Sequence, residues 1–165
     1  MYTPILRSFI QAAKVQYVMS RREKFIPVVD AFLSYFEREA ALINEEFAGV
    51  AKCRVYVNFP PEDSPNHGLF GLFADCLLRG VAWDHSDNVG ILIGGSDLDE
   101  KLTIHAELSW GESPSHEFQV FPGSVELNDR SLDQIREKLP YMFKRLRELI
   151  KQNPGGIPIE NKEIG

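Results

Sequence analysis

Residues 81–120, VAWDHSDNVGILIGGSDLDEKLTIHAELSWGESPSHEFQV, decide the fold. Apolar and polar residues alternate in stretches separated by Gly-, Asp- and Ser-rich turns, the pattern of a half-buried antiparallel sheet. Pairing sums give a register. A first turn centred on Ser86 pairs Trp83 with Val89 and Val81 with Ile91. A second turn over residues 94–101 pairs Ile93 with Leu102, Ile91 with Ile104 and Val89 with Ala106. A third, centred on Ser113, pairs Trp110 with His116, Leu108 with Phe118 and Ala106 with Val120. All three registers place apolar residues on one face. Because side chains alternate with period two, a slip of one residue in any turn would break that agreement.

Outward from this meander, residues 51–59 (AKCRVYVNF) also alternate, with Cys53, Val55, Val57 and Phe59 opposed to Arg54, Tyr56 and Asn58, and Pro60-Pro61 ends the strand. Between them, Leu69, Phe70, Leu72, Phe73, Cys76 and Leu77 fit helical spacing and Gly80 fits a stop, so a short helix is expected over about 68–79. Thr3-Pro4 reads as a helix start, with Ile5, Phe9, Ala12, Ala13 and Tyr17 as the apolar stripe of a helix over 4–19. A second helix spans about 27–48. Its stripe is Val29, Phe32, Leu33, Phe36, Ala40, Ile43 and Phe47, with Gly49 at the C-terminal cap. A last helix over 131–151 starts with Ser131 and Gln134 at capping-box spacing and carries Leu132, Ile135, Leu139, Met142, Phe143, Leu146 and Ile150. Pro140 inside it predicts a kink or a split. The expected fold is α+β: an antiparallel meander of four to five strands packed on one face by N-terminal and C-terminal helices. It occupies residues 1–152 as a single domain, with 1–49 helical, 50–127 mainly sheet, and 153–165 as a tail.

Charge is segregated. Residues 61–135 hold three Lys/Arg (Arg79, Lys101, Arg130) against fourteen Asp/Glu, a net of −11, while residues 1–60 carry +2 and residues 136–165 carry +3. The basic groups cluster as Arg21, Arg22 and Lys24, and as Lys144, Arg145, Arg147 and Lys151. Such sorting steers a basic partner or supports self-association, since fields add over a surface. The acidic balance argues against nucleic-acid binding, which needs a basic footprint. No apolar run approaches the ~20 residues of a membrane span. Cys53 and Cys76 lack C-x-x-C spacing, and the N-terminus has no basic region followed by an apolar run. Both point to a cytoplasmic protein with reduced thiols.

Catalytic motifs are not evident. Gly94-Gly95 precedes a strand rather than a helix, so it lacks the helix N-terminus that a phosphate loop needs. His116-Glu117 has no second His four residues after the first, and G-x-S-x-G is absent. No cofactor is expected. Two constellations follow from the register. The first is the sheet's outer face, where Leu92, His105, Glu107, Glu117, Gln119 and Phe121 gather. Gly90 is expected beside His105, leaving a depression there. The second is one end of the meander, where Asp84, His85, Asp87, Glu112 and His116 offer imidazole and carboxylate ligands to a divalent metal. His67 stands apart in a polar loop.

The favoured reading is a non-catalytic protein-binding module of inhibitor, immunity or chaperone type. Its acidic sheet side meets a basic protein partner or a second copy of itself. A metal-dependent hydrolase at the acidic, histidine-containing turn end is the alternative. A small-ligand sensor or assembly component is the third.

Overall fold

The structure is a computed structural model that describes residues 23–61, 63–65, 68–78, 88–98, 101–110 and 116–152. The elements in chain order are helix α1 (Ile26–Glu46), strands β1 (Ala51–Asn58), β2 (Leu69–Leu78), β3 (Val89–Ser96), β4 (Thr103–Trp110), β5 (His116–Gln119) and β6 (Val125–Glu126), and helix α2 (Asp129–Gln152). The strands form one antiparallel sheet in the order β1-β2-β3-β4-β5, and β6 pairs with β4. This is the α+β meander that the alternation implies. The helix expected over 4–19 and the tail over 153–165 lie outside the described residues. No helix among the described residues is long and apolar enough to cross a membrane.

One apolar face of the sheet supplies half of the core and the two helices supply the other half. Alternation sends Cys53, Leu72, Ala74, Cys76, Ile91, Ile93, Ile104, Ala106 and Leu108 inward, all buried. Above them lie Phe32, Phe36, Ala40 and Ile43 of α1 and Ile135, Leu139, Met142, Phe143 and Leu146 of α2. Val28, not Val29, is the first fully buried residue of α1. Phe143 joins the two helices, its ring edge-on to Phe36 (5.3 Å between centroids) and Tyr35 (5.6 Å). Arg147 of α2 reaches both Glu39 and Glu46 of α1. Gly49, at φ +78°, takes the left-handed conformation that lets the chain leave α1 and enter β1.

Several expectations are corrected. Residues 69–78 are a ten-residue strand, not a helix. Phe70, Leu72, Ala74, Cys76 and Leu78 point into the core while Phe73 and Leu77 are apolar on the other face as well, so the run mimics helical spacing. This strand takes the place beside β3 expected for Val81 and Trp83: Cys76 pairs with Val89 and Ala74 with Ile91. Residues 79–87 lie outside the described residues. On the other side of β3, Ile93 pairs with Ala106 and Ile91 with Leu108, four positions from the expected register. The shift is even, so every side chain keeps its face. It arises because Gly94, Gly95 and Ser96 continue the strand rather than turn. Leu108 does pair with Phe118, but a bulge follows, and Ser109 rather than Trp110 pairs with His116.

Helix α2 runs unsplit through Pro140. Its start is capped by Asn128 rather than Ser131. The Ser131 N–H donates to Asn128 Oδ1 (3.0 Å), and the Asn128 N–H donates to Ser131 Oγ (3.0 Å), a reciprocal box three residues upstream of the expected one.

Edge strand β1 is held by a helix side chain. Asn44 Nδ2 donates to the Cys53 carbonyl (2.9 Å), and the Cys53 N–H donates to Asn44 Oδ1 (2.7 Å). Cys53 lies directly opposite Cys76, and both thiols are free and buried. The hydrogen bond with Cys53, and then burial, hold the Cys76 thiol well above the usual thiol range, so it is a packing group rather than a nucleophile.

Candidate functional site

Both helices pack on one side of the sheet, so its other face is covered by no element among the described residues. The register builds one continuous row across it. Tyr56 pairs with Phe73, Phe73 with Leu92, Leu92 with Glu107, and Glu107 with Gln119, one residue from each of β1 to β5. The β1–β3 part of the row is aromatic and aliphatic. Tyr56 and Phe73 stack at 4.6 Å with 9° between ring planes. The β4–β5 part is polar.

Glycines make room for rings on this face. A Cβ on Gly71 would sit 2.4 Å from Phe73 Cε2, and one on Gly94 would sit 2.4 Å from His105 Cε1. The glycine beside His105 is therefore Gly94, not Gly90, and the imidazole itself fills the depression expected there. Gly90 instead abuts Asp75 and the Ala74 carbonyl. A side chain at position 71 or 94 would have to displace the ring that lies there, whereas one at position 90 would press on the backbone of β2.

An open cavity of about 150 Å³ remains at the β4–β5 end, lined by His105, Ala106, Glu107, Gln119, Phe121, Gly123 and Ser124. Of the expected face residues, His105, Glu107, Gln119 and Phe121 meet here. Phe121 is buried (8% exposed) rather than displayed. Leu92 adjoins Glu107 in the row without lining the cavity. Glu117 does not join them. The bulge leaves it as the extra residue of β5, and its carboxylate accepts from Arg145 Nε of α2 at 2.7 Å, on the helix side. Gly123 and Ser124 were not foreseen, because the chain between β5 and β6 carries no periodic signal. Phe73 was hidden by the helical reading of its segment.

At the β1 edge, the Tyr56 hydroxyl donates to Asp75 Oδ2 (3.0 Å), with Arg54 Nη2 at 4.0 Å from the same oxygen and the guanidinium 4.9 Å from the Tyr56 ring centre. Burial, and then the Asp75 carboxylate, push the Tyr56 phenol up to about 12. A group with a raised pKa in the folded state stabilises fully below its unfolded value near 10. That contribution is lost as pH rises through about 12. Ultraviolet titration is expected to show a tyrosinate midpoint near pH 12 that Tyr56→Phe removes. Loss of stability between pH 10 and 12 should be smaller in that variant. A titration unchanged by Tyr56→Phe would contradict the assignment.

Charge is not spread evenly over the face. Lys52, Arg54 and Asp75 lie at β1–β2 and Glu107 at β4, and residues 103–126 contain no Lys or Arg at all. Glu126 of β6, opposite Thr103, adds a carboxylate to this face, and the other described carboxylates of residues 61–135 (Asp63, Asp97, Glu117, Asp129 and Asp133) lie off it, at turns, the bulge and the start of α2. Of the expected metal ligands, Asp84, His85, Asp87 and Glu112 lie outside the described residues, and only the backbone of His116 is described. Among the described residues no cluster of three His, Cys, Asp or Glu has the arrangement of a metal site.

The described residues define an α+β fold with two helices on one side of a meander sheet and an aromatic-to-acidic row on the other. Comparison with known proteins returns no matching family model, curated protein or solved structure.

Proposed function

We infer that this is a non-catalytic protein-binding module whose docking surface is the outer face of the sheet. The observation that carries the reading is the row Tyr56–Phe73–Leu92–Glu107–Gln119, which runs from β1 to β5 and is covered by no element among the described residues. Aromatic and aliphatic side chains beside the Glu107 carboxylate suit a partner segment that offers an apolar side chain next to a Lys or Arg. The apolar group would lie on Phe73 and Leu92, and the cation would enter the cavity beside Glu107 and Gln119. The absence of Lys and Arg from residues 103–126 leaves that half of the face attractive to a cation. Two buried free thiols suit a reducing compartment such as the cytoplasm.

A photo-crosslinking residue at position 92 tests the reading. It is expected to capture a protein in a manner that Glu107→Lys abolishes and that weakens as salt rises from about 50 to about 500 mM. Equal capture from position 42 on the exposed surface of α1, or indifference to Glu107→Lys, would reject it.

A further inference from the structure

We propose that the occupant of this face is a second copy of the same chain, in a symmetric face-to-face dimer. The inference rests on the docking reading above and adds the identity of the partner. Its basis is that the row is complementary to itself. Lys52 and Arg54 lie at one end, both exposed, with Arg54 at 43% for its side chain. Phe73 and Leu92 occupy the middle, and Glu107 and Gln119 lie at the other end.

Symmetry turns that gradient into matched contacts. A two-fold axis in the plane between the sheets and parallel to the strands reverses strand order while preserving position along each strand. Placed between β2 and β3, it lays β1 over β4 of the second copy and β2 over β3. Phe73 then meets Leu92 of the second copy, and Leu92 meets its Phe73. Tyr56 stands over Glu107 of the second copy, and Arg54, two residues along β1, is within reach of the same carboxylate. Each contact occurs twice. Face-to-face sheets pack about 10 Å apart with interdigitating side chains.

The chain thus carries, beside an aromatic pair, a cation of its own to set against the Glu107 carboxylate of the second copy. The Arg54 guanidinium lies 4.9 Å from the Tyr56 ring centre, at the end of the row that the axis sets over Glu107.

Charge exchange provides the test. In sedimentation velocity over about 1–100 µM, the wild type is expected to be dimeric. Lys52→Glu/Arg54→Glu and Glu107→Lys should each raise the dimer dissociation constant about tenfold or more. All three substitutions together should restore dimerisation, because the reversed charges again match. Leu92→Asp should give monomers whose thermal unfolding remains cooperative. A monomeric wild type, or a dimer insensitive to every variant, would overturn the proposal. If the wild type is monomeric while position 92 captures another protein in a Glu107-dependent manner, the self-association fails and the docking reading stands. If position 92 captures residues 1–22 of its own chain, both fail.

Discussion

Replacing Phe143 by alanine is expected to cost about 3–5 kcal/mol of folding stability, the range for truncating a fully buried aromatic ring. Phe143 is 1% exposed and lies edge-on to both Phe36 and Tyr35, so its removal opens a void where α2, α1 and the sheet converge. Burial alone does not exhaust the effect. Aromatic pairs in this geometry contribute about 0.5–1.5 kcal/mol beyond their area. A double-mutant cycle with Phe36→Leu should therefore show coupling of that order. Leu42→Ala, at a position 47% exposed on α1, should stay within about 0.5 kcal/mol and serves as the control. Urea midpoints at constant slope provide the measurement. A Phe143→Ala cost below about 1.5 kcal/mol would show that the helix layer is not held by this ring.

The second large effect separates two glycines on the same strand. Gly90→Ala should destabilise by about 1–3 kcal/mol, whereas Gly94→Ala should stay within about 1 kcal/mol of wild type. The difference lies in what the added methyl group meets. At position 90 it would lie 2.7 Å from the Ala74 carbonyl oxygen and 3.2 Å from Asp75 Cα, which are backbone atoms of β2 in the interior of the sheet. Relief there requires β2 and β3 to separate. At position 94 the atoms nearest the methyl are those of the His105 ring, a side chain that can rotate away. Reduced freedom of the unfolded chain offsets part of that cost. Gly94→Ala should therefore perturb the His105 imidazole resonances with little change in urea midpoint. Gly90→Ala should also crowd Asp75 Oδ1, 2.6 Å from the new methyl, and bring the Tyr56 titration back towards 10. Equal costs for the two variants would refute the distinction.

These positions show why face was legible in the sequence and register was not. Ile91, Ile93, Ile104, Ala106 and Leu108 were assigned to one side by alternation, and all are buried. Parity survives any even shift, so the same pattern accommodated a register four residues away. The information that fixes register lies in turn length, and Gly94-Gly95 looked like a turn because glycine permits one. In the sheet those glycines instead yield space to the His105 ring on one face and the Phe25 ring on the other. Residues 69–78 misled for a different reason. An interior strand with apolar groups on both faces has no alternation left to read. His105, Glu107 and Gln119 were found because they alternate with core residues of β4 and β5. Glu117 strayed because a single extra residue reverses its side, and only the pairing with β4 reveals it.

The clasp of Asn44 on Cys53 bears on how such a sheet avoids polymerising. An exposed edge strand offers its backbone as a template to other chains, and runaway growth of that kind leads to fibres. Here the side-chain amide of α1 satisfies both the donor and the acceptor of Cys53, as the backbone of a neighbouring strand would. An incoming strand would have to displace it before it could extend the ladder along β1. With that edge clasped, the two-fold contact proposed for the outer face would end at two copies instead of growing along the ladder.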